Sequence, residues 1–306
     1  MTHDGHAPAA RYPRSHVIAA FAAVYIVWGS TYLAIRYAVE TMPPFLMAGV
    51  RFLISGAILY FWTRRRGSPA PTAPQWRDAT IAGVLMLCFG NGAVAWAEQR
   101  VPSGLAALLV AVVPLWMVLV DWARPRGVRP RPIILVGVLV GFVGMILLVG
   151  RGKDPAAGSA DTAAALVLAV ASLAWACGSV FNQHGDRPTS AAMSTGIQML
   201  GGSAGLVLLG LVRGELAHVH LARISAGSWI GWTYLVTFGS LVGFTAYIYL
   251  LQAVSPAKAS TYAYVNPLVA VFLGWAIAGE SITMRTLAAA AVILTGVAMI
   301  TLVRRE

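Results

Sequence analysis

Apolar positions in this sequence form long unbroken runs rather than stripes. Stretches free of Asp, Glu, Lys and Arg occupy 15–35, 79–97, 101–120, 132–150, 162–185, 188–212, 259–279 and 286–303. One 34-residue stretch lies between Arg223 and Lys258, and 44–63 is apolar apart from Arg51. A helix crossing a bilayer needs about 20 predominantly apolar residues. Barrel strands instead alternate apolar and polar positions over about ten residues. The segment LAALLVAVVPLWMVLV (105–120) shows no such alternation. The pattern predicts ten transmembrane helices, at 16–37, 44–63, 78–98, 103–121, 132–150, 162–182, 190–212, 228–251, 258–278 and 285–303.

Composition agrees. The chain of 306 residues is 58% hydrophobic and 11% charged, against roughly 25% charged in an average soluble domain. This excludes a soluble enzyme, a disordered chain and a secreted disulfide scaffold. The longest connection, 64–77, is too short for an aqueous domain, since fewer than about 40 residues rarely fold alone. A fused nucleotide-binding, kinase or sensor domain is therefore excluded. The only lysines, Lys153 and Lys258, sit outside any GxxxxGK[ST] loop. The first apolar run is too long for a cleavable signal peptide and ends at Arg36. Cys88 and Cys177 fall within spans and read as buried free thiols.

The net charge of +11 resembles a nucleic-acid signal until the charges are placed. With a cytoplasmic N-terminus, fourteen cationic side chains fall inside and seven outside. The positive-inside rule then puts both termini in the cytoplasm. The bias is strong in the first half and weak in the second. These cations meet anionic lipid, and no basic stripe with interleaved aromatics supports a nucleic-acid partner.

The two halves resemble each other. At a shift of 153, Gln99, Val101, Ala106, Val112, Pro114 and Leu115 meet Gln252, Val254, Ala259, Val265, Pro267 and Leu268. At a shift of 154, VLVGFVGMILLV (138–149) meets VILTGVAMITLV (292–303). Five helices per copy is an odd number, so the second copy enters the membrane from the opposite side. The expected fold is an all-α polytopic membrane protein of two inverted five-helix repeats. Its parts are an N-terminal tail (1–15), a first repeat (16–150), a loop (151–161), a second repeat (162–303) and a C-terminus (304–306). Inverted repeats frame secondary transporters, with cargo bound near the midplane at the repeat interface.

WGSTYLAIR (28–36), PP (43–44) and AGVRFLISG (48–56) resemble the first two helices of EamA domains in the drug/metabolite transporter superfamily. NGAVAWAEQRVPSGLAALLVAVVPLW (91–116) resembles the third and fourth helices, and SPAKASTYAYVNPLVAVFLGWAIAGESIT (255–283) the ninth and its following turn. Within the superfamily the likeness is to bacterial amino-acid and metabolite exporters of the YddG and YedA type. The resemblance implies ten helices, cytoplasmic termini, a bacterial inner membrane and efflux of small metabolites, amino acids among them. The cargo class comes from the resemblance alone.

The candidate substrate-binding residues are Trp28, Asn91, Trp96, Glu98, Trp175, Tyr247, Tyr262 and Asn266. The aromatic rings can line an apolar cavity or pack against lipid and neighbours. Asn91 can bond a neighbouring helix or touch cargo. Tyr262 and Asn266 share one helical face. Glu98 is the carboxylate best placed to face a cavity, with an interfacial role beside Arg100 as the plainer reading. No carboxylate sits at the centre of a span, so a buried proton relay finds no support in the sequence. Arg51 is the most embedded cation; snorkelling or carbonyl binding near its helix start is favoured over a substrate contact. Pro114 and Pro267 free the carbonyls of Val110 and Ala263 and mark kinks or hinges. Gly137, Gly141 and Gly144 permit close helix contact, by default within a monomer.

No metal site or cofactor is expected. An intramembrane enzyme would need a Ser–His pair, two Asp or a zinc cluster at mid-depth, and the histidines all lie in tails, loops or span edges. The best reading is a secondary exporter of amino acids working by alternating access. Efflux of drugs, nucleosides or other metabolites by the same fold, and a channel-like facilitator, are the alternatives.

Overall fold

A computed structural model describes residues 12–125, 127, 129–149, 161–254 and 261–302. Most of the N-terminal tail, most of the loop 151–161, Lys258 and the C-terminus 304–306 lie outside the described residues. Among those described, every regular element is helical.

The helices are α1 (Arg14–Val39), α2 (Pro44–Arg65), α3 (Ala73–Ala97), α4 (Ser103–Ala123), α5 (Pro132–Val149), α6 (Thr162–His184) and α7 (Ala191–Val212). They continue with α8 (Ala226–Ala253), α9 (Tyr262–Ala278) and α10 (Met284–Leu302). Seven of them, α1–α4 and α6–α8, are long and apolar enough to cross a membrane, and α5, α9 and α10 contain shorter apolar helices.

Local chemistry sets the ends. Thr72 and Gln75 form a capping box, each side chain bonded to the other's backbone amide. It starts α3 at Ala73, five residues before the predicted start at 78. Asp161, Ser190 and Ser225 cap α6, α7 and α8, satisfying amide donors that helix geometry leaves over. The ninth span, expected from 258, is described as helix from Tyr262.

The two mid-helix prolines behave differently. Ahead of Pro114 the chain makes a turn at Ala111–Val112, so α4 consists of Ser103–Val110 and Val113–Ala123. Pro267 sits inside an α9 that runs on without a break. Two π-helical stretches, Val84–Asn91 in α3 and Leu235–Val242 in α8, were not foreseen. Such stretches displace the helical register and often mark functional places.

Long pairings organise the bundle: α2 along α7, α3 along α6 and α7, α5 along α10, and α1 along α8 and α9. Glycine makes the α5–α10 contact possible. A Cβ on Gly296 would stand 2.5 Å from the Gly141 nitrogen and 2.6 Å from the Gly137 oxygen. These glycines therefore pack the chain against itself. The main core gathers Leu108, Leu109, Leu115, Leu168, Leu235 and Ile293, all wholly out of solvent. Leu139, Ile146, Val170, Phe272 and Trp275 are each more than half exposed, an outward apolar surface suited to lipid.

Candidate functional site

Two groups of interior polar side chains hold the candidate residues. One is an aromatic cluster between α1, α8 and α9. The Trp28 ring lies 5.2 Å from Phe244, 5.1 Å from Tyr247 and 5.1 Å from Tyr262, and the two tyrosine rings are 5.5 Å apart. The Trp28 indole donates to the Gly239 carbonyl at 3.2 Å. Gly239 belongs to the π-helical stretch of α8, so the register change there presents a carbonyl to α1. Next to it, Ser240 accepts a hydrogen bond from the Arg51 Nε at 3.0 Å.

Arg51 departs from the snorkelling alternative of the sequence reading. It does not snorkel to an interface: it is 3% exposed and lies 4.6 Å over the ring of Phe52. Its Nη1 has no hydrogen-bond partner, and no carboxylate pairs with it among the described residues. Such a buried cation is costly unless something anionic meets it.

Trp175 and Trp96 stand beside the cluster formed by Phe45, Phe52, Leu87, Cys88, Met199 and Leu206. Phe244 touches both this cluster and Trp28, and so links the two groups of tryptophans. Gly90 lets Trp175 approach, since a Cβ there would meet the ring at 3.0 Å. Asn91 and Asn266 each bury an amide oxygen without a partner among the described residues. Cys88 and Cys177 are both free thiols, the first buried and the second half-buried.

The second group lies at the bundle end where α1, α3 and α9 finish and α4 begins. Gly279 adopts φ 65°, a left-handed helix end that glycine takes without strain. The turn hydrogen-bonds the Glu280 amide back to the Gly274 oxygen at 2.9 Å. The Glu280 carboxylate accepts from the Ser103 amide (2.8 Å), the Ser103 hydroxyl (2.8 Å) and the Gly104 amide (3.1 Å). It also pairs with Arg36 of α1. One carboxylate thus clasps the ends of three helices, and the positive end of the α4 dipole favours it there. At the same end Glu215 accepts from the Phe45 and Leu46 amides in the first turn of α2.

Glu98 lies at this end too, apart from the aromatic cluster. No ion pair joins it to Arg100 among the described residues. It is 4% exposed, and neither carboxylate oxygen has a partner among the described residues. Arg100 instead covers the Trp96 ring at 4.3 Å. A cavity of about 490 Å³ opens here, lined by Arg36, Val39, Glu40, Glu98, Gln99 and Arg100 among others.

The structure thus brings Trp28, Tyr247 and Tyr262 together, sets Trp96 and Trp175 against a neighbouring core, and separates Glu98 from both. Sequence reasoning missed Glu280, Phe244 and Ser240. Only Glu280 left a signal, a Gly-Glu pair closing an apolar run.

A family model, that of the EamA-like transporter family, matches residues 15–150 and again 162–302. The uncharacterized inner membrane transporter YedA of Escherichia coli strain K12 is 39% identical over 281 residues, covering 92% of this chain and 89% of that protein. Protein PecM of Dickeya dadantii is 28% identical, covering 81% and 80%. A probable amino-acid metabolite efflux pump of Salmonella typhimurium is 25% identical, covering 89% and 90%. A crystal structure superposes with a TM-score of 0.62 at 22% identity, covering 95% of this chain and 99% of that one, a likeness of fold. This chain belongs to the EamA-like transporter family.

Proposed function

We propose that the protein exports small metabolites, amino acids foremost, across the bacterial inner membrane by alternating access. In this reading all ten helices span, as two inverted repeats at 16–150 and 162–303, with both termini in the cytoplasm. The family match in both halves supports it, as do π-helical stretches in the third helix of each half. The Glu280 end then faces outward. The α5–α10 pairing is made within one chain, which supports a monomeric transporter.

One observation carries the proposal. Arg51 Nη1, Asn91 Oδ1 and Asn266 Oδ1 are buried without partners among the described residues; Arg51 bonds Ser240 beside the Gly239 that Trp28 contacts, and Asn266 lies one turn along α9 from Tyr262. Unmet buried polar atoms are costly in an apolar interior. A cargo with an apolar side chain, a carboxylate and an ammonium donor answers both features. In this assignment the rings hold the side chain, Arg51 takes the carboxylate, and Pro114 and Pro267 mark the hinge positions. Trp96 and Trp175 wall the path, and Glu98 closes it at the outer end. No step in this scheme makes or breaks a covalent bond in the cargo, which separates it from enzyme action.

Purified protein in liposomes preloaded with labelled amino acids, nucleosides and drugs tests the cargo. Faster release of amino acids than from protein-free liposomes supports the assignment. Equal release across the whole panel refutes it, and release of nucleosides or drugs alone reassigns the cargo.

A further inference from the structure

Glu98 occupies a place where an ionised carboxylate is hard to keep. It sits one residue past the last helical residue of α3, with both oxygens shut off from solvent and without a hydrogen-bond partner among the described residues. Cations are near, but each is engaged. Arg36 of α1 lines the same cavity, but its guanidinium is bound to Glu280. Arg100 lies over Trp96 and reaches Asp161, at the start of α6, at 3.8 Å.

The remaining groups around it offer no compensation. Glu280 is a like charge within reach. From α1, Tyr32 is also within reach and Glu40 shares the lining of the cavity. On the α2 side, Glu215 is held by two backbone amides. A buried carboxylate with neither hydrogen bonds nor a free counter-ion is costly, whereas its neutral form forfeits far less hydration. The cavity beside it supplies a route for water.

We propose that Glu98 is a proton-binding site, filled while the Glu280 clasp is shut and emptied when the clasp opens. Opening frees Arg36 from Glu280 and admits water from the cavity. The Glu98 O–H bond then breaks, the proton passes to water, and the electron pair stays on the carboxylate, which Arg36 stabilises. Closing reverses each step. Since the shut state binds the proton more tightly, acid favours the shut clasp and rising pH favours the open one. This goes beyond the export reading by tying one proton to one gate, and it holds for any cargo.

An infrared pH titration of the full chain in liposomes, with no cargo added, reads the carbonyl stretch of protonated carboxyl groups. The wild type should show such a band at neutral pH. Glu98→Gln, which keeps the size of the side chain, should remove it while the protein still elutes as one species. Ser103→Ala, which loosens the clasp while keeping the Glu280 charge, should move the band's midpoint to lower pH by about one unit, a tenfold loss of proton affinity. The proposal is overturned by a wild type without the band, a band surviving Glu98→Gln, or a midpoint unmoved in the clasp variant. Because no cargo takes part, failure of the release panel and failure of this titration are separate results.

Discussion

Replacing Glu280 with alanine should be the most damaging single change at its end of the bundle. The carboxylate is 6% exposed at the side chain and accepts from Ser103 twice and Gly104 once while pairing with Arg36. Alanine strands these donors next to Ser103, which is fully buried. Breaking a buried ion pair by removing one partner costs about 3–5 kcal/mol. Arg36 is one-third exposed and recovers part of its hydration, which argues for the lower half of that range. Glu280→Gln keeps one acceptor but turns an amide donor toward a donor, at a cost of about 1–3 kcal/mol. Reversible unfolding in mixed micelles, followed by helix content, would measure both. The reasoning is refuted if the alanine variant lies within about 0.5 kcal/mol of wild type, the usual range for a surface change.

Other predictions follow from the packing and the interior. Gly296→Ala should destabilise the fold by about 1–3 kcal/mol, because its Cβ would meet backbone of α5 that no rotamer can relieve; Gly227→Ala, with its nearest neighbour at 3.8 Å, is the control. Trp175→Ala, Tyr262→Ala and Asn266→Ala should each reduce amino-acid release while membrane expression stays intact, and full activity in all three would sink the placement. In competition assays against a released amino acid, leucine should outcompete leucinamide in the wild type, and Arg51→Gln should abolish that preference. A preference that persists in the variant would free Arg51 from the cargo.

What could be read from the chain depended on how local the signal was. Charge-free runs located the helices because a lipid-spanning helix is an average over about 20 positions. Start points were less legible: the Thr72–Gln75 box extends α3 upstream through polar residues that hydropathy counts against a span. Pro114 and Pro267 look alike in sequence, yet only the first accompanies a break in its helix. The tryptophan and tyrosine candidates were visible as residue types, but their grouping around Phe244 depends on how α1, α8 and α9 meet. The burial of Arg51 and Glu98 was not legible in the sequence, for one reason. Distance from a span end measures depth, whereas burial depends on which neighbour faces the side chain. For Arg51 that neighbour is the π-helical stretch of α8, which no hydrophobic period announces.

The central claim is transport by alternating access, and trans-stimulation tests it most directly. Proteoliposomes loaded with an unlabelled amino acid from the released set should take up the labelled one faster than empty proteoliposomes, with saturation as the outside concentration rises. Uptake that is unaffected by internal amino acid and rises linearly with concentration would contradict the account and assign the protein to pores.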